Sequence, residues 1–504
     1  MIREATKHRW AAIVCVLVLL SEAWAADQPQ WGQRFTRNMV SAETGLPDDF
    51  DPATGKNVKW VASLGSETWA TPVIAQGRVF IGTNNNPPRD PRQKGDRALL
   101  LCLDEKDGSF LWQLVVPKLG PDPYLDWPRA GISSPATVEG NRVYIVSNRG
   151  EAMCLDIEGQ RNGNDGPYVD EGRHMVPADE EPLEVTSIDA DIIWLFDIPN
   201  QAGTYPHDAA HASILIDGDF LYINTSNGVD NTHRKIRCPD GPSLIVLDKK
   251  TGRLLARDNE GIGPRIFHST WSSPALGVVN GRRLVFFCGG DGVVYAFDAL
   301  QTAPREGKVE TLKRVWRFDC DPSAPKENVS EYLRNRDRSP SNIKSMPVFH
   351  NNRLYVTVGG DIWWGKTQAW LQCIDATKTG DVTSSALLWS CALKEHCCST
   401  PAVQDGLVFV ADCGRQIHCV DAATGEVHWM HEAKGDIWAS TLVADGKVYV
   451  GTRRRKFWVL AASREKRIIS TVQLDSATAG TPVAANGVLY VTTMKKLYAL
   501  QSPR

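Results

Sequence analysis

The chain is 504 residues long and carries 56 Lys and Arg against 59 Asp and Glu, a formal net charge of −3. With that balance, and with no basic cluster longer than Arg453-Arg454-Arg455-Lys456, nucleic acid is excluded as a partner. The length would fill about three ordinary domains, although closed β architectures run this long as one.

In chain order, residues 1–25 read as a signal peptide. Lys7, His8 and Arg9 give a basic start, Ala11 to Leu20 is unbroken apolar sequence, and Ala23-Trp24-Ala25 puts small residues at both cleavage-defining positions. The apolar run is short for a bilayer, which takes about 20 residues. No later stretch is apolar and long enough to cross. The expectation is a periplasmic or secreted mature chain without a transmembrane segment. Residues 26–56 are an N-terminal extension.

From residue 57 to 501 one unit repeats, and its cleanest copy spans residues 399–429. Thr400-Pro401 opens a strand, because Pro is tolerated at a strand's first residue. Asp405-Gly406 signals a hairpin turn, and Leu407-Val408-Phe409-Val410 is a buried strand. Cys419-Val420 ends a third strand. Asp421 with Thr424-Gly425 then turns the chain into a fourth, which ends on Trp429. Four strands in an antiparallel meander make one propeller blade.

The strand-opening position recurs at Pro72, Pro135, Ser213, Pro274, Pro347, Pro401, Thr441 and Pro482. The turn Gly recurs from Gly77 to Gly487, with Asn352 replacing it once, and the closing Trp recurs at Trp112, Trp194, Trp316, Trp389 and Trp429, with Ala256 in the third unit. The last unit stops after Leu497-Tyr498-Ala499-Leu500, and its missing fourth strand is Val58-Lys59-Trp60. One blade shared between the termini closes the ring and leaves no unpaired sheet edge. The expected fold is therefore all-β, an eight-bladed propeller of four-stranded antiparallel blades.

The ending Ala422, Thr424-Gly425, Trp429 resembles the tryptophan-docking repeat of the quinoprotein alcohol dehydrogenases and of the outer-membrane assembly lipoprotein of the same superfamily, the pyrroloquinoline quinone (PQQ) repeat. The resemblance covers about residues 57 to 500. It implies the fold directly; activity is a separate matter, since this fold hosts both enzymes and scaffolds.

Eleven of the 12 cysteines follow the leader. Cys102, Cys154, Cys373 and Cys419 share one slot in the third strand, where Ala296 and Ala499 stand elsewhere, and read as small buried residues. Cys238, Cys288, Cys320, Cys391 and Cys413 are scattered without metal-like spacing. Cys397-Cys398 precedes Ser399-Thr400-Pro401. In the quinoprotein dehydrogenases a vicinal pair at this point forms a strained disulfide against one face of the quinone, so the resemblance offers that role; two reduced buried thiols are the other reading.

Inner strands line a propeller's axial channel, so their openings ring one mouth. Three residues before each opening come Trp69, Ile132, Ala210, Trp271, Lys344, Cys398, Trp438 and Ala479. Slightly earlier come Glu67, Arg129, His207, Asp208, His268, Asn342, His396 and Asp436. Aromatic faces beside cationic and acidic groups suit a small planar anionic ligand, or a peptide side chain. Units one, three and five carry insertions over the same mouth, about residues 84–98, 224–240 and 359–370. The last contains Asp361-Ile362-Trp363-Trp364, a candidate lid. Unit two carries its insertion, 157–191, on the opposite face. There Asp165, Asp170 and Glu171 have the composition of a Ca²⁺ loop, although Arg161 breaks the EF-hand register. His207, Asp208 and His211 raise the thought of a metal, in a segment that reads as a loop into a strand.

Two functions follow. One is a cell-envelope scaffold that binds an envelope protein or ligand at the mouth. The other, implied by the resemblance, is a PQQ-dependent dehydrogenase in which Ca²⁺ polarises the quinone and a carboxylate acts as base. For that, Asp208 and Asp436 are candidate bases, and Arg129 and Asn342 are of the right type to sit by the quinone and the metal. No Cys-x-x-Cys-His haem motif is present.

Overall fold

The computed structural model describes residues 26–120, 125–208 and 212–503; the signal-peptide reading falls on residues outside these. Among the described residues the strands form eight sheets. Blade 1 runs from Val73–Ala75 to Phe110–Pro117, and the pattern repeats through blade 7, which ends on Ile468–Gln473. In blade 8, Val58–Ser63 pairs antiparallel with Lys496–Leu500, so the first strand in sequence closes the last blade. The expected ring and its closure are both present.

Each blade alternates side chains into the two flanking interfaces, because successive residues of a strand point to opposite faces. The result is eight apolar clusters, one between each pair of neighbours. Cys102, Cys154, Cys373 and Cys419 lie within them, buried, as their slot in the repeat implies. The closing tryptophans tie one blade to the next. The indole of Trp112 in blade 1 donates to Ile157 O of blade 2 at 3.0 Å, and that of Trp429 in blade 6 to Ser463 O of blade 7 at 2.9 Å. Trp60 of blade 8 does the same to Glu105 O of blade 1 at 3.0 Å, completing the circle. Gly108 is required there: its φ is +75°, and a Cβ would meet the Trp60 ring at 2.6 Å.

Blade 3, which has Ala256 in place of the Trp, gains a fifth strand instead. Glu310–Thr311, from the next blade's long loop, pairs in parallel with Leu254–Arg257. Gly380–Asp381 covers the outer strand of blade 4 in the same way. The insertion at 157–191 lies against the outer strand of blade 1, with Gln113 N donating to Ile188 O at 2.9 Å. Three outer edges are thus covered by the following blade.

The N-terminal extension is structural. Residues 28–41 run round the channel and hydrogen-bond the inner part of every blade: Gln28 O to Ile74 N, Pro29 O to Val138 N, Arg37 Nη2 to Ser213 O, Phe35 O to Leu276 N, Thr36 O to Phe349 N, Asn38 to Val403, Met39 O to Val443 N, and Ser41 Oγ to Ala484 O. Arg37 is fully buried. Its guanidinium also donates to Trp31 O at 2.9 Å and Pro274 O at 2.9 Å, and burial pushes its pKa down to about 9. The strap thus lies against the inner strands of all eight blades, and its Trp31 reaches the cavity at the mouth.

Candidate functional site

At the mouth, the opening segments of the inner strands surround a cavity of about 120 Å³. Trp69, Trp271, Lys344, Cys398, Trp438 and Ala479, all placed there by the repeat arithmetic, line it together with Asp208. Trp127, Trp363 and Trp31 of the strap complete the wall. Trp363 comes from the candidate lid and sits between Trp271 and Trp438, with ring centroids 5.9 and 5.5 Å away.

Two cations lie on these rings. Lys344 Nζ stands 4.5 Å from the Trp271 centroid and 4.6 Å from that of Trp363. The Arg453 guanidinium stands 4.6 Å from Trp69 and 5.1 Å from Trp438. Such contacts strengthen when water is excluded. Nearby, Trp69 Nε1, Trp438 Nε1 and Arg453 Nη1 are buried donors with no hydrogen-bond acceptor among the described residues. Buried donors are normally satisfied, so three adjacent ones without an acceptor are a specific feature of the mouth.

Beneath Trp363 the carboxylate of Asp361 organises the loop. Its Oδ1 accepts from the main-chain N–H groups of Trp363 and Trp364 at 3.0 Å each. Its Oδ2 accepts from Lys344 at 2.6 Å, His268 Nδ1 at 2.9 Å and Asn342 at 3.3 Å. Burial opposes its charge, but Lys344 and His268 hold the carboxyl well below the usual range. Burial likewise opposes the charged form of His268, and the two flanking carboxylates, Asp361 and Asp208, more than offset it. His268 Nε2 points the other way, 3.0 Å from His207 Nε2 and 3.1 Å from Asp208 Oδ2. His233, from the insertion at 224–240, joins them. Burial pushes His207 down to about 3 and lowers His233 as well. His211 lies outside the described residues.

Cys397 and Cys398 are free thiols facing different surroundings. Cys397 Sγ points to Ala411 O at 2.9 Å in the blade interior, and burial pushes its pKa up. Cys398 Sγ lies at the cavity, 3.6 Å from His396 Nε2. A hydrogen bond from the Cys413 thiol, helped by His396 and Lys344 against the effect of burial, holds Cys398 well below an ordinary thiol. Cys413 is pushed well above.

The remaining expected residues fall behind or around the cavity. Asn342 and His396 are buried behind it. Arg129 is an exposed rim residue, 3.5 Å from Glu67. Asp436 backs Arg453, accepting its main-chain N–H at 2.9 Å, and does not line the cavity. Asp165, Asp170 and Glu171 are not drawn into one cage. Asp165 accepts from Asn162 at 2.8 Å, Glu171 from Asn164 at 3.2 Å, and Asp170 precedes the short helix Glu171–His174.

A profile of the PQQ-repeat family, described as that of the outer membrane protein assembly factor BamB, matches residues 96–317 and 367–501. The chain belongs to this family. BamB from Moraxella catarrhalis is similar at 14% identity and a TM-score of 0.50, over 87% of this chain and 96% of that one. The quinohemoprotein alcohol dehydrogenase ADHIIG from Pseudomonas putida HK5 is similar at 11% identity and a TM-score of 0.59, over 95% and 82%. The computationally designed Ika8 protein is similar at 10% identity and 0.51, over 88% and 99%. These likenesses are of fold. No curated protein sequence matches the chain.

The quinone cofactor of the family's enzymes is held with Ca²⁺, a hard cation that wants six to eight oxygens. The mouth groups three imidazoles, and the Asp361 carboxylate beside them is already taken by five donors. This donor set does not fit calcium.

Proposed function

We propose that this PQQ-repeat propeller is an exported cell-envelope protein whose channel mouth captures a small planar anion. The carrying observation is the trio of buried donors without acceptors, Trp69 Nε1, Trp438 Nε1 and Arg453 Nη1, on a wall of indoles. Flat rings on either side would stack on a planar ligand, and the donors would take its carboxylate. The strap supports this reading, since its Trp31 adds a further aromatic face to the cavity wall. The leader at residues 1–25 and the family's description support the envelope. No helix among the described residues is long and apolar enough to cross a membrane.

Quenching of tryptophan fluorescence by a panel of aromatic and quinoid carboxylates, PQQ included, tests it. Saturable quenching by a member of the panel is expected, weakened about tenfold or more in Arg453→Ala, which corresponds to about 1.4 kcal/mol. Absence of saturation across the panel would overturn the reading. The assembly-factor description favours a second one, in which a partner protein inserts an acidic or aromatic side chain at the same mouth. Cross-linking from a benzophenone placed at position 129, on the rim, distinguishes the two.

A further inference from the structure

The imidazoles of His207, His233 and His268 come from three separate places: the openings of blades 3 and 4 and the insertion at 224–240. We infer that they and the Asp208 carboxylate form a binding site for a divalent transition metal of the zinc class. The inference is independent of the ligand-capture reading.

The geometry carries it. His207 Nε2 and His268 Nε2 are 3.0 Å apart, His268 Nε2 and Asp208 Oδ2 are 3.1 Å apart, and His207 Nε2 and Asp208 Oδ2 are 3.4 Å apart. Tetrahedral Zn²⁺ with bonds of about 2.0–2.1 Å sets neighbouring donors about 3.3 Å apart. The three atoms therefore make one face of such a tetrahedron. His233 supplies the fourth corner: a ring nitrogen lies within 4.8 Å of those of the other two histidines. It sits on a turn with φ of 57°, outside any strand.

The surroundings are those of a metal ligand set. Asp361 accepts from His268 Nδ1 at 2.9 Å, which leaves Nε2, facing His207 and Asp208, as the nitrogen for a metal to take in place of a proton. A carboxylate behind a ligating histidine is the usual way its tautomer and ring orientation are fixed. Lys344 in turn holds Asp361 at 2.6 Å. Three nitrogens and one oxygen select Zn²⁺, Cu²⁺, Ni²⁺ or Fe²⁺ over Ca²⁺ and Mg²⁺. Asp208 also lines the cavity, so the metal would stand in its wall and fix the wall's shape.

The test uses the full exported chain. Metal per chain is measured by mass spectrometry after purification without chelator. The stripped protein is then titrated with Co²⁺ and followed in the visible range. The expected result is one transition metal per chain and a tetrahedral Co²⁺ spectrum that Zn²⁺ abolishes and millimolar Ca²⁺ leaves intact. His268→Ala and His233→Ala should each weaken Co²⁺ binding at least tenfold, while His350→Ala, on another blade's hairpin, should not. His233→Gln, on the turn, covers the case in which the buried His268 variant fails to fold. Co²⁺ binding equal in wild type and both His233 variants would overturn the inference, as would Ca²⁺ displacing Co²⁺ at equal concentration.

Discussion

Asp361 has no solvent exposure and receives five donors, so neutralising it is costly. Asp361→Asn keeps the shape but leaves the Lys344 ammonium buried without its counter-charge. Breaking a buried pair this way costs about 3–5 kcal/mol, to be read from urea unfolding of the two proteins. At the cavity, Cys398 is the reactive thiol. Its pKa is lowered by the Cys413 thiol, His396 and Lys344, so its reactivity persists to lower pH than that of an ordinary thiol of pKa about 8.5, which loses most of its reactivity between pH 9 and 7. Peptide mapping after brief iodoacetamide treatment should find Cys398 labelled at pH 7 nearly as fast as at pH 9, and Cys397 unlabelled. A tenfold drop in the Cys398 rate over that range would contradict the assignment. Most wall residues were legible because they occupy a fixed offset from a repeated strand opening. Arg453, Trp127 and His233 were not, since they arrive from turns and insertions whose reach has no period. Asp361 was visible only as part of a candidate lid. Its role depends on Lys344, from the opening of the same blade, and on His268, from the opening of the preceding blade, and the three meet only when those two blades pack.

At the scale of elements, the loop carrying Trp363 is held from outside by Arg336 as well as from within by Asp361. The Arg336 guanidinium donates to Ile362 O at 3.2 Å, Trp363 O at 3.1 Å and Gly365 O at 3.0 Å. Arg336 is largely exposed, so Arg336→Ala should barely change the melting temperature. It should instead raise amide exchange in residues 361–366 and weaken quenching by any ligand that stacks on Trp363. Hydrogen-exchange mass spectrometry reads the first effect directly. Unchanged exchange there would show that Asp361 alone fixes the loop. The four main strands of each blade follow from the turn glycines and alternating apolar residues. The parallel fifth strands, Glu310–Thr311 and Gly380–Asp381, could not be read. They are two-residue, exposed and polar, and only their placement against a neighbour's edge makes them strands.

For the whole molecule, the closure between termini follows from counting strands, whereas the strap's course does not. Residues 26–56 lack a repeat, and their bonds are mostly main-chain, which carries no sequence pattern. Arg37→Met would leave Ser213 O, Pro274 O and Trp31 O buried without donors. At about 1–3 kcal/mol for such a group, a loss of several kcal/mol is expected in denaturant unfolding. Trp60→Ala should cost about 3–5 kcal/mol by emptying the last interface.

The strap also sets an order of events. It precedes every blade in the chain, yet its hydrogen bonds reach all eight. A ribosome or translocase therefore delivers the fastener first and its final anchor, near Ala484, almost last. The fastener has to wait, open, while the chain grows. Once shut, it should act as a kinetic lock. Contacts formed after the folding barrier slow unfolding without speeding folding. Strap variants should therefore unfold faster than the parent and refold at the same rate, and the protein should outlast proteases that degrade an open ring.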